Sequence, residues 1–556
     1  MSPAPSPWLP PLLAKSFAVA GLSGLVLGIG PLPAPETFAT ETKLNLVRPM
    51  AGGDLFTNGT VWRIAVRLEP AQVAALRDDP RSYVPATVHD QAGNYAGAEV
   101  HLKGSTGSFR PLDDKPGLTL RFDATEPGRT FHGLRKVHLN NSVEDPSYMH
   151  EHLGAELFRR AGIPAPRVGY ALVELNGRPL GLYVLKEGFT VDFLAGYFHD
   201  TGGNLYEPED GHDVDQPMKR HSGRGSKKDQ RDLQALAAAV QEIDPSRRAA
   251  SLAAVLDTDQ FLTFAVMEVM IGHRDGYCLA RNNFRVYHDV DKDRIVFLPH
   301  GMDQLFGRAD FPWRPHWSGL VAGAWLNLPA ERTAYAARFR ELFPRLLQPA
   351  ALQARIDQWL AELRPALPAE QWAEVRTAAQ AVKQRIADRQ ANLAAQLAQP
   401  EPDFLEFVAG RARVAGWQPG EAPAGGRLAA GTAPDGRPAL EIAAGPVTSS
   451  AWRTTALLRH GAYRFSGRAW VADLKPLPFG RHQGAGLRVA GRVPPVESPM
   501  TTPGWHELST NFEVAGEQET VELVCELRAS AGRAWFDPTA LELTATPLTN
   551  PALRAQ

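Results

Sequence analysis

Near residue 400 the sequence changes character, and that change constrains the fold more than any other feature. Residues 331 to 398 are rich in Ala, Leu, Arg and Glu at helical spacing and read as about three helices. From about residue 404 onward Gly, Pro and short alternating runs take over, as in Tyr463 to Val471, Gly486 to Val489 and Thr520 to Leu527. Short strands with turn signals between them predict a jelly-roll-like β-sandwich. A chain of 556 residues is also too long for one hydrophobic core, so two or three domains are expected. Lys and Arg total 59 against 61 Asp and Glu, a balance that argues against a nucleic-acid partner.

Upstream of residue 330 the pattern is α+β. Residues 60 to 68 alternate as a strand, and a helix with an early proline follows over 69 to 77. Ala98 to Leu102, Leu118 to Phe122 and Val137 to Leu139 are strand candidates, and residues 146 to 161 form an amphipathic helix stopped by Gly162 and Pro164. Tyr170 to Glu174 and Leu180 to Leu185 flank Asn176-Gly177, a strong hairpin signal. The polar stretch 209 to 228 reads as an exposed loop or insertion. Helices follow to residue 270, the last one capped by Asp257, and then strands over 283 to 287 and 295 to 298.

The N-terminus carries Lys15 and then an uncharged run from Ser16 to Pro31, long enough for a secretory signal and short for a membrane span. Residues 1 to 42 therefore read as an export signal or, at most, an N-terminal membrane anchor. The two cysteines, Cys278 and Cys525, fall in different predicted domains, which argues against a disulfide.

Chemistry concentrates in Ile271 to Gly307. Asp275 sits just past a helix end, Asn282 and Asn283 follow, and Asp303 lies just past a strand pair beside Gly301 and Gly307. Two carboxylates and a carboxamide outside regular elements make a hard-oxygen set suited to Mg²⁺, and phosphoryl transfer needs such a set. Taken alone, an Asp beside Gly is more often a turn residue. The Gly/Ser loop Lys103 to Phe109, with Lys103, Gly104 and Ser105 at its start, has backbone N–H groups that can cover phosphates, and Lys115 can reach one as a point charge. By residue type alone, an ordinary hairpin connection and a solvated lysine explain these residues better. In His150-Glu151-His152 the two histidines are too close in sequence to share a zinc on a helix, so a surface or packing role is expected. Trp417, Trp452, Trp470, Trp505 and Trp535 can stack on sugars, but most are expected in the core.

Four blocks together resemble the CotH kinase family, spore-coat-protein-H-like atypical kinases. They are KGSTGSFRPLDDKPGLTLRFD, LNNSVEDPSYMHEHLGAELFRRAGIPAPRVGYALVELNGRPLGLYVLKEGF, HRDGYCLARNNFRVYHD and FLPHGMDQLFG, in family order over roughly residues 60 to 390. The resemblance implies an atypical, two-lobed protein-kinase-like domain over 43 to 330 and a helical extension over 331 to 400. The β-sandwich would then occupy 401 to 548 and a tail 549 to 556. It implies ATP with Mg²⁺ or Mn²⁺ as cofactors and Ser or Thr of a protein as acceptor. Lys115 would contact the α/β-phosphates, Glu187 would lie at the hinge beside the nucleotide, Asp275 would be the catalytic Asp, and Asn283 and Asp303 would hold the metal. Three departures stand out: Lys103-Gly104 where Arg-Gly is common, Glu207 where Lys is common, and Pro116 directly after Lys115. The sequence thus predicts an exported kinase for proteins. Its rivals are an inactive kinase-like surface scaffold, and a kinase for a glycan or small molecule whose C-terminal domain grips carbohydrate.

Overall fold

Alternation in the first half of the chain builds a closed seven-stranded barrel in the computed structural model. The model describes residues 46–546 apart from 57–58, 106, 210, 401–402, 421, 479–482 and 493–501. The predicted export segment and the 549–556 tail lie outside the described residues. The strands are β1 (Val61–Arg67), β2 (Val84–His89), β3 (Asn94–Lys103), β4 (Gly117–Arg121), β5 (Lys136–Asn140), β6 (Val168–Leu175) and β7 (Arg178–Glu187), in the order β1-β2-β3-β4-β5-β7-β6. Parallel pairing of β6 with β1, from Val61 opposite Tyr170 to Val66 opposite Leu175, closes the ring. Ile64, Val66, Val100, Leu102, Leu118, Leu120, Val137, Leu139 and Leu185 fill the inside. Strand residues alternate between faces. Their neighbours His101, Lys103, Thr119, His138 and Lys186 therefore share the outer face. Direct pairing runs His101 to Thr119, Thr119 to His138 and His138 to Lys186, a polar row across four strands.

Helix α1 (Pro70–Asp78) follows β1, and helix α2 (His150–Arg160) packs on the barrel. The chain then forms α3 (Val191–Tyr197) and the four-stranded sheet of β8 (Leu205–Glu207), β9 (Lys219–Ser222), β10 (Phe284–Asp289) and β11 (Arg294–Pro299), in the order β11-β10-β8-β9. Between β9 and β10 lie α4 (Arg231–Gln241), α5 (Pro245–Val255), α6 (Thr258–Met270) and the one-turn α7 (Tyr277–Ala280). After β11 come α8 (Leu320–Leu326), α9 (Pro329–Leu346), α10 (Pro349–Leu363) and α11 (Ala369–Ala398). Arg389 of α11 is buried and donates to the Val269 carbonyl at 2.7 Å and the Ala309 carbonyl at 3.0 Å, tying the last helix to the end of α6. Among the described residues no helix is long and apolar enough to cross a membrane.

Beyond residue 404 the described elements are all strands, as the sequence predicts. Two long bent segments, Thr448–Pro476 and Gly504–Phe536, carry most of the pairing. Thr448 lies opposite Ala529 and Arg459 opposite Gln518, so partner numbers fall as the strand advances, which is the antiparallel sense. This region has its own core, including Phe465, Val471, Leu523, Leu527 and Phe536. Trp452 and Trp535 are buried, while Trp417, Trp470 and Trp505 are half-buried. His316 Nδ1 meets Glu519 at 2.6 Å and Arg332 donates to Thr520 at 2.7 Å, fastening the strands to the preceding region. Cys278 and Cys525 are both free and buried.

Two local expectations fail. The helix predicted from residue 146 begins at His150, because Tyr148 takes φ 60° and the Asp145 carboxylate accepts the Ser147 and His150 N–H groups. The stretch 209–228 is not simply exposed: it contributes β9, and Asp213, Val214, Met218 and Arg220 are buried.

Candidate active site

The outer polar face of the barrel meets the sheet and loops that carry Asp275 and Asp303. At its centre is a buried ion pair. Lys186 Nζ lies 2.8 Å from Glu151 Oε2, with the two side chains 0% and 3% exposed. Glu151 comes from the first turn of α2 and Lys186 from β7. Asn140 of β5 donates to Glu151 Oε1 at 3.2 Å and accepts from Lys103 of β3, so three strands and a helix share one network. Lys103 has room because Gly117 faces it: a Cβ there would stand 3.1 Å from Lys103 Cγ. Burial, reinforced by Lys186, pushes the Lys103 ammonium down to about 8. Lys186 also reaches His300 Nδ1 at 3.3 Å. Burial and the surrounding cations hold His138 and His300 well below the usual histidine range, so both are neutral.

Asp303 leaves β11 beside this pair. His150, the residue before Glu151, holds the Asp303 carbonyl through Nδ1 at 2.7 Å. Burial pushes the Asp303 carboxyl up to about 7, with Glu151 and Glu144 raising it further and Lys186 opposing them. Among the described residues no side-chain hydrogen bond reaches this carboxylate; His150 holds the backbone carbonyl instead. Glu144 is bridged to the loop after α6: Gln304 donates to it at 3.1 Å, and Arg274 donates to Gln304 at 2.7 Å. The Gly/Ser loop closes over Glu144 so tightly that a Cβ on Gly107 would lie 2.5 Å from its carboxylate.

The loop carrying Asp275 is fixed from beneath by Glu268 of α6, whose carboxylate accepts the Tyr277 and Cys278 N–H groups at 2.8 Å each. Burial pushes Glu268 up to about 8. Gly276 has no space for a side chain, since its Cβ would stand 2.3 Å from Glu268 Oε1. Asp275 Oδ2 accepts from Asn283 at 2.7 Å and from Asn282 at 3.1 Å. Asn283 adopts φ 48°, and its Oδ1 packs against Gly301, two residues before Asp303.

Contacts therefore link Asp275 through Asn283 to the Gly301 turn just before Asp303, and Asp303 lies near enough to Lys103 to favour its charged form, with Gly104 (φ 114°) and Ser105 following Lys103 in the loop. The Ser105 N–H donates to Ser108 Oγ at 3.1 Å within the loop. Lys115 and Glu187 are not brought to this cluster. Lys115 donates to the Tyr148 hydroxyl at 2.6 Å and lies over the Tyr148 and Tyr183 rings. Glu187 points to the strand face opposite Lys186 and pairs with Arg167 at 2.7 Å. Sequence reading passed over Glu151, Lys186, Asn140 and Glu144. A signal for the pair was present: a lysine in the apolar run of β7 requires a buried carboxylate.

The chain belongs to the CotH kinase family: the model described as CotH kinase protein matches residues 100–397. Among curated relatives it is 23% identical over 232 residues to inner spore coat protein H of Bacillus subtilis (strain 168), covering 40% of this chain and 63% of that protein. It is 25% identical over 244 residues to invasin CotH2 of Rhizopus delemar, covering 40% of each. The chain thus spans less than two thirds of the length of either relative. A solved CBM4 structure aligns with 22% of this chain and 79% of its own at 18% identity, with a TM-score of 0.16, too low to bear on fold or function.

Proposed function

We propose that this protein is an exported, two-lobed kinase that transfers the γ-phosphate of ATP to Ser or Thr of extracytoplasmic proteins. The observation that carries the reading is the buried Lys186–Glu151 pair with Asp303 beside it, on a cleft face that also holds Lys103. A catalyst for phosphoryl transfer works by positioning and by opposing developing charge. The residues fit a divalent cation. Asp303 is a carboxylate crowded by Glu151 and Glu144, and a cation would relieve that crowding. Asp303, with the Asn283 amide oxygen, would hold it, and bound Mg²⁺ supplies charge neutralisation on phosphate oxygens. Lys103 and Lys186 would orient the phosphates, and the Gly/Ser loop would exclude water above them. Asp275, held in one rotamer by Asn282 and Asn283, would accept the proton of the acceptor hydroxyl at Oδ1 or Oδ2. Surface or export fits the names of the relatives, a spore coat protein and an invasin.

The test incubates the protein lacking residues 1 to 42 with γ-labelled ATP, Mg²⁺ or Mn²⁺ and a generic acidic protein, beside Asp275→Ala and Asp303→Ala. Label that appears with the unmodified protein and vanishes in both variants supports the reading. Transfer persisting in both variants removes the site assignment. The invasin name of one relative favours a second reading, a non-catalytic surface scaffold. Folded protein that binds ATP yet shows no turnover with either metal would move the conclusion there.

A further inference from the structure

On another side of α2, one residue along from Glu151, lies a cavity of about 240 Å³ formed by α2, the start of β6 and α10. His152, Glu156 and Arg159 of α2 line it with Tyr170, Arg355 and Trp359. We propose that this cavity is a second ligand site, which takes a small planar heterocyclic carboxylate carrying an N–H donor.

Three observations point to that chemistry. His152 is 6% exposed, yet its Nε2 has no hydrogen-bond partner among the described residues. A buried polar atom left unpaired destabilises the fold unless something satisfies it. Burial holds the ring neutral, pushing it down to about 3, and the Gly169 backbone hydrogen-bonds to it. With the other ring nitrogen turned to that carbonyl, Nε2 is left as an acceptor, so the missing partner is a donor.

One wall is aromatic. His152 stacks on Tyr170 with centroids 4.2 Å apart, and Trp359 lies 4.9 Å from His152. These rings already pack on one another and so form one continuous aromatic wall, on which a flat ring can lie. Arg159 supplies the anion partner. Its Nη1 donates to the Ala165 and Pro166 carbonyls, at 3.5 and 2.6 Å, and it forms no ion pair among the described residues. Arg355, by contrast, is already paired with Glu156 at 3.0 Å.

The probe is indole-2-carboxylate, titrated into the full chain by calorimetry. A ligand of that size in a formed site should bind at one site with Kd of about 1 mM or tighter. His152→Phe removes the acceptor and should weaken binding at least about tenfold. Trp359→Leu, which removes part of that wall, should weaken it as well. Asp303→Ala should bind the probe as the unmodified protein does, which separates this site from the phosphotransfer reading. In protein labelled with ¹⁵N-histidine, the Nε2 resonance of His152 should move on binding, a readout that needs no folded variant. Absence of saturable binding up to about 5 mM would overturn the proposal. So would unchanged affinity in folded His152→Phe and Trp359→Leu, or a Nε2 resonance that stays still while the probe binds.

Discussion

Replacing Lys186 by Met tests the centre of the cleft. The substitution keeps the stem of the side chain and removes its charge. Glu151, 3% exposed, would then be left with only the Asn140 amide as partner, close to Asp303 and without the cation that opposes both. Breaking a buried pair by removing one partner costs about 3–5 kcal/mol. Glu151→Gln strands the ammonium instead, with His300 Nδ1 at 3.3 Å as its remaining neighbour, and should cost a similar amount. The double variant has no stranded charge and should lose only about 1–3 kcal/mol, so the cycle should show a coupling of roughly 3 kcal/mol or more. Urea unfolding of the four proteins at one pH measures it. The coupling should barely change between low and high salt, because a buried pair is weakly screened. Single-variant losses that add to within about 0.5 kcal/mol would show that the two groups do not share a buried contact. The cleft as described would then be wrong.

Acid should destabilise the protein early. Burial depresses His152 to about 3 and His273 to about 4, below the ordinary 6.5. Their contribution is complete above pH 6.5 and falls as pH drops toward 4, by about 1.4 kcal/mol per unit for each residue. Glu268 and Asp303, raised to about 8 and 7, gain stability over the same interval and oppose the histidines. The fall in urea midpoint from pH 7 to pH 5 should therefore be smaller in His152→Phe than in the unmodified protein, and an unchanged fall would contradict the burial of that ring. Gly301→Ala forces a side chain at φ 53° with its Cβ 2.0 Å from Asn283 Oδ1. It should lower stability by about 1–3 kcal/mol in thermal melts and displace Asn283 from Asp275. Lys103→Ala should weaken ATP binding at least about tenfold, while Lys115→Ala should leave it within about twofold, since the Tyr148 hydroxyl holds that ammonium elsewhere. Equal effects in a titration of the two variants would return Lys115 to the site.

Local rules made much of this chain legible. Asn176 and Gly177 take φ 48° and 82° and join β6 to β7, as a two-residue hairpin requires. The Asp257 side chain caps α6 through the Gln260 N–H at 3.1 Å. The group formed by Asp275, Asn283 and Asp303 was legible because all three stand in one short block. Glu151 and Lys186 were not, because their meaning depends on α2 crossing β7, a contact between residues 35 positions apart. The polar row His101, Thr119, His138 and Lys186 was hidden for a related reason. Each strand shows alternation, but only strand order reveals that the outward residues meet. Asp213 read as loop because its partners, the Tyr277 hydroxyl and the Leu320 N–H, lie far downstream.

The parallel seam between β1 and β6 joins segments about a hundred residues apart. Contacts so distant in sequence close late, since the intervening chain must be ordered first. During synthesis, β1 waits with an unpaired edge until Val168–Leu175 has emerged. Open edges are templates for association with other chains. A nascent chain ending before residue 168 is therefore the aggregation-prone species, and a partner that shields β1 during synthesis would act at that stage.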